Sequence, residues 1–215
     1  MKQTTLDLID NLLTRKPDLS YLKNALIEAT QMICDARASQ NKILVCGNGG
    51  SYSDAEHIAG EFNKSFCLKR PIDDELYDKL KTAFPEDADS FKDNLEQGIP
   101  CIPLPSIVAS NTAFNNDKNA DFTYAQMTYA LGKPNDVLIC ISTSGNSKNV
   151  IYPAKLAKAL GIKVISLTGE TGGKLKDLSD ILLNAPERET YLIQEYHLSI
   201  YHTLCLTVEN EIFGK

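Results

Sequence analysis

Apolar and polar positions change their period several times along the 215 residues, and each change marks an element. Over 19–39, Leu22, Ala25, Leu26, Ala29, Ile33 and Ala36 recur at spacings of three and four, which lays one apolar stripe along a helix. A shorter helical stretch, 3–14, precedes it, and Pro17 separates the two. KILVCG (42–47) is then an unbroken apolar run ending in glycine, the pattern of a buried strand that enters a tight loop. Helical character returns over 51–65. Four more apolar runs follow, PCIPLPSIVA, DVLICIS, KVISLTG and DILLNA, with helical stretches at about 122–131, 147–160 and 171–177. A long helix over about 189–212, apolar on much of its surface, closes the chain. Strands alternating with helices predict an α/β domain, a parallel five-stranded sheet flanked by helices on both faces.

The stretch from Lys69 to Gly98 breaks this rhythm. It is polar, acidic, rich in helix formers and divided by Pro85, which predicts two short helices inserted between the first and second strands. A solvated surface excursion explains it; a lid or an oligomer contact near the site is the sharper alternative. The rest reads as one domain spanning 1–215, with no repeat and no low-complexity segment.

Composition narrows the class. Hydrophobic residues make up 43% and charged residues 23%, an ordinary globular balance. No apolar run approaches a membrane helix and the first residues carry acids early, so a cytoplasmic protein without a leader or membrane segment is expected. Net charge −6 supplies no positive field for nucleic acid. The six cysteines are scattered through apolar runs without a CxxC pair, the pattern of buried free thiols.

Two loops carry candidate chemistry. In CGNGGS (46–51), glycines at 47, 49 and 50 permit close backbone approach, and Ser51 stands at the start of a helix whose unpaired N–H groups suit an anion. Many such turns are only tight turns, so this signal is weak alone. STSGNS (142–147) puts four hydroxyls and a glycine between an apolar strand and a helix, more than one N-cap requires. At the carboxyl end of a parallel strand that cluster predicts a phosphate site, and no GK[ST] follows to make it a Walker loop.

The ionisable residues are sparse enough to be informative. His57 and Glu61 lie four residues apart on one face of the helix after the glycine loop. Near the end of the chain stand Gln194, Glu195, His197 and His202, with Gln194 and His202 ~80° apart around a helix and able to border one groove. Taken singly, a surface ion pair or a packed core histidine is the better explanation of each.

Taken together, GNGGSYSDAEHIAGEF, DVLICISTSGNSKNV, KVISLTGETGGKL and IQEYHLSIYH resemble the motifs of the sugar isomerase (SIS) superfamily, specifically its phosphoheptose isomerases. The resemblance spans roughly 1–68 and 99–215. It implies a homotetramer with shared active sites and one Zn²⁺ per subunit. It implies Asn48, Gly49, Gly50 and Ser51 on the sugar chain, Ser142, Thr143, Ser144 and Ser147 on the phosphate, and Asn116 and Asp117 on the substrate. His57, Glu61, Gln194 and His202 match the zinc ligands, with Glu61 and Gln194 also on the substrate. Tyr52 stands where the family often has histidine, and the 69–98 insertion is absent from its short members.

The activity so implied is an aldose–ketose isomerisation of sedoheptulose 7-phosphate to an aldoheptose 7-phosphate through a cis-enediol, with Glu61 as base and His202 as acid. Two alternatives stand beside it. A noncatalytic SIS module could keep the serine loop to sense a sugar phosphate or bind a regulatory or replication partner. A SIS enzyme could act on another phosphosugar.

Overall fold

A computed structural model describes residues 1–215. The uninterrupted apolar runs become a five-stranded sheet: β1 (Ile43–Cys46), β2 (Cys101–Pro103), β3 (Val137–Ile141), β4 (Lys163–Thr168) and β5 (Ile181–Asn184). All pairs are parallel and the order is β2-β1-β3-β4-β5. Successive side chains on each strand face opposite layers. Ile43, Val45, Val137, Ile139, Ile165 and Leu167 join one core cluster, while Leu44, Cys46, Leu138, Cys140 and Val164 join the other.

The first cluster is covered by α1 (Gln3–Arg15), α2 (Lys23–Ala38), α3 (Gly50–Asn63) and the C-terminal helix. Part of the long helical stretch predicted over 19–39 is a 3-10 helix, Pro17–Leu22, because the proline at its start fixes a tight entry into α2. Between β1 and β2 the insertion forms α4 (Asp74–Ala83) and α5 (Ala88–Asn94), which pack on each other. No residue of α4 is buried, so within the chain this hairpin is a solvated excursion.

Its stalk is rigid. Arg70 and Glu209 are both almost wholly buried. Arg70 donates to Glu209 at 2.8 Å and to the carbonyls of Phe62 and Glu61 at 2.9 and 3.1 Å. Glu209 also accepts from the backbone of Phe66, Cys67 and Leu68, so the buried pair is fully hydrogen-bonded.

The second face is covered by α7 (Thr123–Leu131) and α8 (Lys148–Leu160), with α6 (Val108–Asp117) packed outside them against α7. Helix α6 corrects the sequence reading of PCIPLPSIVA as one extended run: Pro105 stops the edge strand, and the apolar residues after it enter a helix. The stretch expected to be helical at 171–177 is a 3-10 helix, Gly173–Leu178. The last helix, α9 (Thr190–Phe213), is bound to the body by His197, whose imidazole donates to the Thr168 carbonyl at 3.0 Å. No helix is long and apolar enough to cross a membrane.

The topology fixes where a ligand can bind. From β1 the chain crosses to β2 on one side, while β3 lies on the other, so the crevice beyond the carboxyl ends of β1 and β3 is a switch point. Both candidate loops open into it.

Candidate active site

Register places the two loops side by side, since Cys46 pairs with Cys140 at the strand ends. The glycine loop turns sharply at Gly49, whose φ is 55°, and α3 begins one residue later. No side chain caps α3; its Ser51 and Tyr52 N–H groups turn back onto the Asn48 and Gly49 carbonyls at 2.9 and 3.0 Å, which tightens the loop and puts Ser51 at the helix start. The serine loop behaves likewise. Ser147 is the N-cap of α8 yet makes no capping hydrogen bond, and its hydroxyl accepts from that of Ser142 at 3.2 Å. Gly145 has φ 63°, and a Cβ there would lie 2.1 Å from the Gly172 carbonyl oxygen, so the loop is seated on the 172–173 turn. Two helix ends without side-chain caps, with the hydroxyls of Ser142, Thr143, Ser144 and Ser147 between them and no lysine or arginine in either loop, are chemically suited to an anion.

Two residues missed by the sequence reading hold the glycine loop in place. Asn149 and Asn48 exchange two side-chain hydrogen bonds, each 2.8 Å. Tyr124 donates to the Gly47 carbonyl at 2.9 Å and reaches Asn48 at 3.2 Å. Asn149 follows the serine loop directly and was findable there; Tyr124 sits on α7 with no local signal. Asn116 and Asp117 lie exposed at the end of α6, hydrogen-bonded to each other and to none of the loop residues.

The ionisable group gathers elsewhere, toward the far end of α3. His57 Nε2 stands 3.1 Å from Glu61 Oε1 and 3.4 Å from His202 Nε2, so α3 and α9 bring three of the expected residues together across 145 positions of sequence. Burial holds His202 below the usual imidazole range, helped by the charge of His57 and opposed by that of Glu61. Gln194 is not among them. It lies against Gly50, where an added Cβ would come within 2.4 Å of its amide nitrogen, and it is about 12 Å along α9 from His202. His197 is a core residue; burial lowers its pKa to about 4.

Two imidazole nitrogens and a carboxylate are a donor set suited to Zn²⁺. Glu61 Oε2 is buried without a hydrogen-bond partner, the Lys64 ammonium standing 3.9 Å away, so it has a lone pair to offer a metal ion. In tetrahedral coordination neighbouring ligand atoms are separated by about 3.3 Å, close to both short contacts at His57. The third side of that triangle is open, and the chain by itself closes no set of three His, Cys, Asp or Glu ligands. The residues fit zinc in type and in two of their contacts.

Parallel order, loop positions and helix pairing define a class, the phosphosugar-binding SIS fold, and the comparisons agree. The chain matches the SIS domain family over residues 12–95 and 98–169. It is 37% identical over 200 residues to a phosphoheptose isomerase of Helicobacter pylori, covering 93% of this chain and 91% of the relative. It is 40% identical over 175 residues to that of Crocosphaera subtropica, covering 81% and 76%. The solved phosphoheptose isomerase GmhA of Neisseria gonorrhoeae superposes with TM-score 0.73 at 30% identity, covering 94% of each chain. That of Francisella tularensis gives 0.71 at 30%, covering 87% and 86%. The chain belongs to the SIS domain family and, within it, to the phosphoheptose isomerases.

Proposed function

We propose that this isomerase interconverts sedoheptulose 7-phosphate and an aldoheptose 7-phosphate through a cis-enediol. The observation that carries the reading is the meeting of Glu61, His57 and His202 on the same protein as an uncapped, hydroxyl-rich anion cradle. The cradle takes the phosphate through Ser142, Thr143, Ser144 and Ser147, and Asn48 to Ser51 face the sugar chain. Glu61 removes the proton from the carbon next to the carbonyl and returns it to the neighbouring carbon. His202 serves the oxygens, giving a proton where the carbonyl becomes a hydroxyl and taking one where the new carbonyl forms. Zn²⁺, held by His57, Glu61 and His202, would polarise those oxygens.

Spacing supports a site shared between copies. Glu61 lies about 16 Å along α3 from Gly50. An extended heptose from its first carbon to its phosphorus spans on the order of 10 Å. One substrate does not bridge the two groups along a single helix, so we assign the loops of one copy to the Glu61 cluster of another, within a homotetramer. Gln194, beside Gly50, would then enter the metal site from the copy that supplies the loops.

The test is incubation of the purified protein with sedoheptulose 7-phosphate in D₂O, followed by NMR. The aldoheptose 7-phosphate should appear, with deuterium entering at the carbon that gains hydrogen. Turnover of a different phosphosugar alone would reassign the substrate. Neither turnover nor exchange with any phosphosugar would favour a noncatalytic sensor.

A further inference from the structure

His57 carries most of the contacts in the ionisable cluster, yet its side chain is 43% exposed, so packing does not fix its ring. What touches it on the protein side is Tyr201, which is 1% exposed and therefore a fixed post on α9. The Tyr201 hydroxyl lies 3.0 Å from His57 Nδ1, and the two rings meet edge to face with centroids 5.5 Å apart. On its other side the hydroxyl lies within reach of the carboxyl of Asp54, one turn before His57 on α3, which burial pushes above the usual carboxylate range and the Tyr201 hydroxyl draws back down. Asp54 Oδ2 is buried and has no hydrogen-bond partner of its own.

We propose that Tyr201, backed by Asp54, is a positioning residue that sets the tautomer of His57. The hydroxyl has one proton and two acceptors beside it, the Asp54 carboxylate and an imidazole nitrogen. A carboxylate is the stronger acceptor and the buried Asp54 Oδ2 has no other protein donor, so a hydroxyl proton turned toward Asp54 satisfies both groups. The Tyr201 oxygen then accepts Nδ1–H from His57. Neutral imidazole carries one N–H, so Nε2 is left with its lone pair, aimed at Glu61 and His202. Nε2 and Glu61 Oε1 become two acceptors 3.1 Å apart, an arrangement that favours a cation between them. The opposite orientation, with Tyr201 donating to Nδ1 and Nε2–H donating to Glu61, would spend the lone pair and leave Asp54 unpaired. A tyrosine thus stands between carboxylate and histidine where a direct carboxylate partner would serve the same end.

The inference rests on His57 acting as a ligand, but its first test needs neither metal nor substrate. The chain has only three histidines, so long-range ¹H–¹⁵N correlation spectra of the metal-free protein resolve each ring. At a pH where His57 is neutral its proton should be on Nδ1. Tyr201→Phe keeps the ring contact and removes the hydroxyl. It should shift the His57 proton toward Nε2 and weaken zinc binding, measured by chelator competition, by tenfold or more, with thermal unfolding as the control for the fold. A wild-type proton on Nε2 would overturn the proposal, as would a Tyr201→Phe variant, folded or not, whose zinc affinity is unchanged. Loss of isomerase activity plays no part in either readout, so an error in the substrate assignment leaves this test intact.

Discussion

The two ends of α3 are chemically different places. At the first end the helix is uncapped, flanked by glycines and faced by hydroxyls, with no lysine or arginine in either loop. At the other, Arg70 donates to the Glu61 and Phe62 carbonyls and so closes the helix, while His57 and Glu61 project into a cluster with His202. Backbone dipoles suit an anion that must be held in one charge state throughout. Proton transfer needs groups that gain and lose charge, which only side chains supply. Both ends belong to a single rod suited to opposite chemistry, and the distance between them is the ground for the proposal that two copies complete the site.

The contrast breaks most sharply at Glu61. Glu61→Gln should lower kcat by about 10²–10⁴ while leaving phosphate affinity and the fold intact, since the cradle lies at the opposite end. A parallel loss of phosphate binding would mean the two ends are not separate. A buried group outside both ends tests whether the scaffold titrates independently of them. The folded-state pKa of His197 is depressed to about 4 from 6.5, so the unfolded chain binds more protons between those values. Stability is therefore fully present above pH 6.5 and is lost as pH falls toward 4, by about 3 kcal/mol in all. Denaturant titrations should show that slope, and His197→Leu should flatten it.

At the cradle the expected effect is smaller. Ser144→Ala removes one hydroxyl donor to phosphate and should raise KM by roughly ten- to a hundredfold, about 1.5–3 kcal/mol, with kcat little changed. A fall in kcat instead would give the loop a part in the chemistry. The smallest effect belongs to the insertion. Replacing 74–94 with a short glycine linker retains the Arg70 stalk and removes helices that bury almost nothing, so the unfolding free energy should move by about 1 kcal/mol or less. If subunit assembly or kcat fell sharply, the hairpin would be an oligomer contact or a lid.

Much of this was legible before any coordinates. The strands announced themselves because a parallel strand buried on both faces has no polar position to disguise it, as in Ile43–Cys46 and Val137–Ile141. Both loops were legible for the same local reason, since register alone then sets them side by side. Helix α6 was hidden because prolines and apolar residues around Pro105 mimic an extended run. Spacing on α9 suggested that Gln194 and His202 could border one groove, but spacing around a helix says nothing of distance along it. Tyr201 was invisible for another reason: a tyrosine in an apolar helix reads as core, and only the pairing of α3 with α9 turns its hydroxyl onto His57.

The claim that the site is shared between copies has a direct test in complementation. Glu61→Gln protein and a Ser144→Ala, Ser147→Ala double variant, each nearly inactive at low substrate, would be unfolded together and refolded so that subunits mix. A shared site predicts recovered activity, because mixed assemblies contain sites pairing an intact cradle with an intact Glu61. If the mixture stays at the level of the two variants while mass spectrometry confirms mixed assemblies, each chain holds its own complete site and the account is wrong.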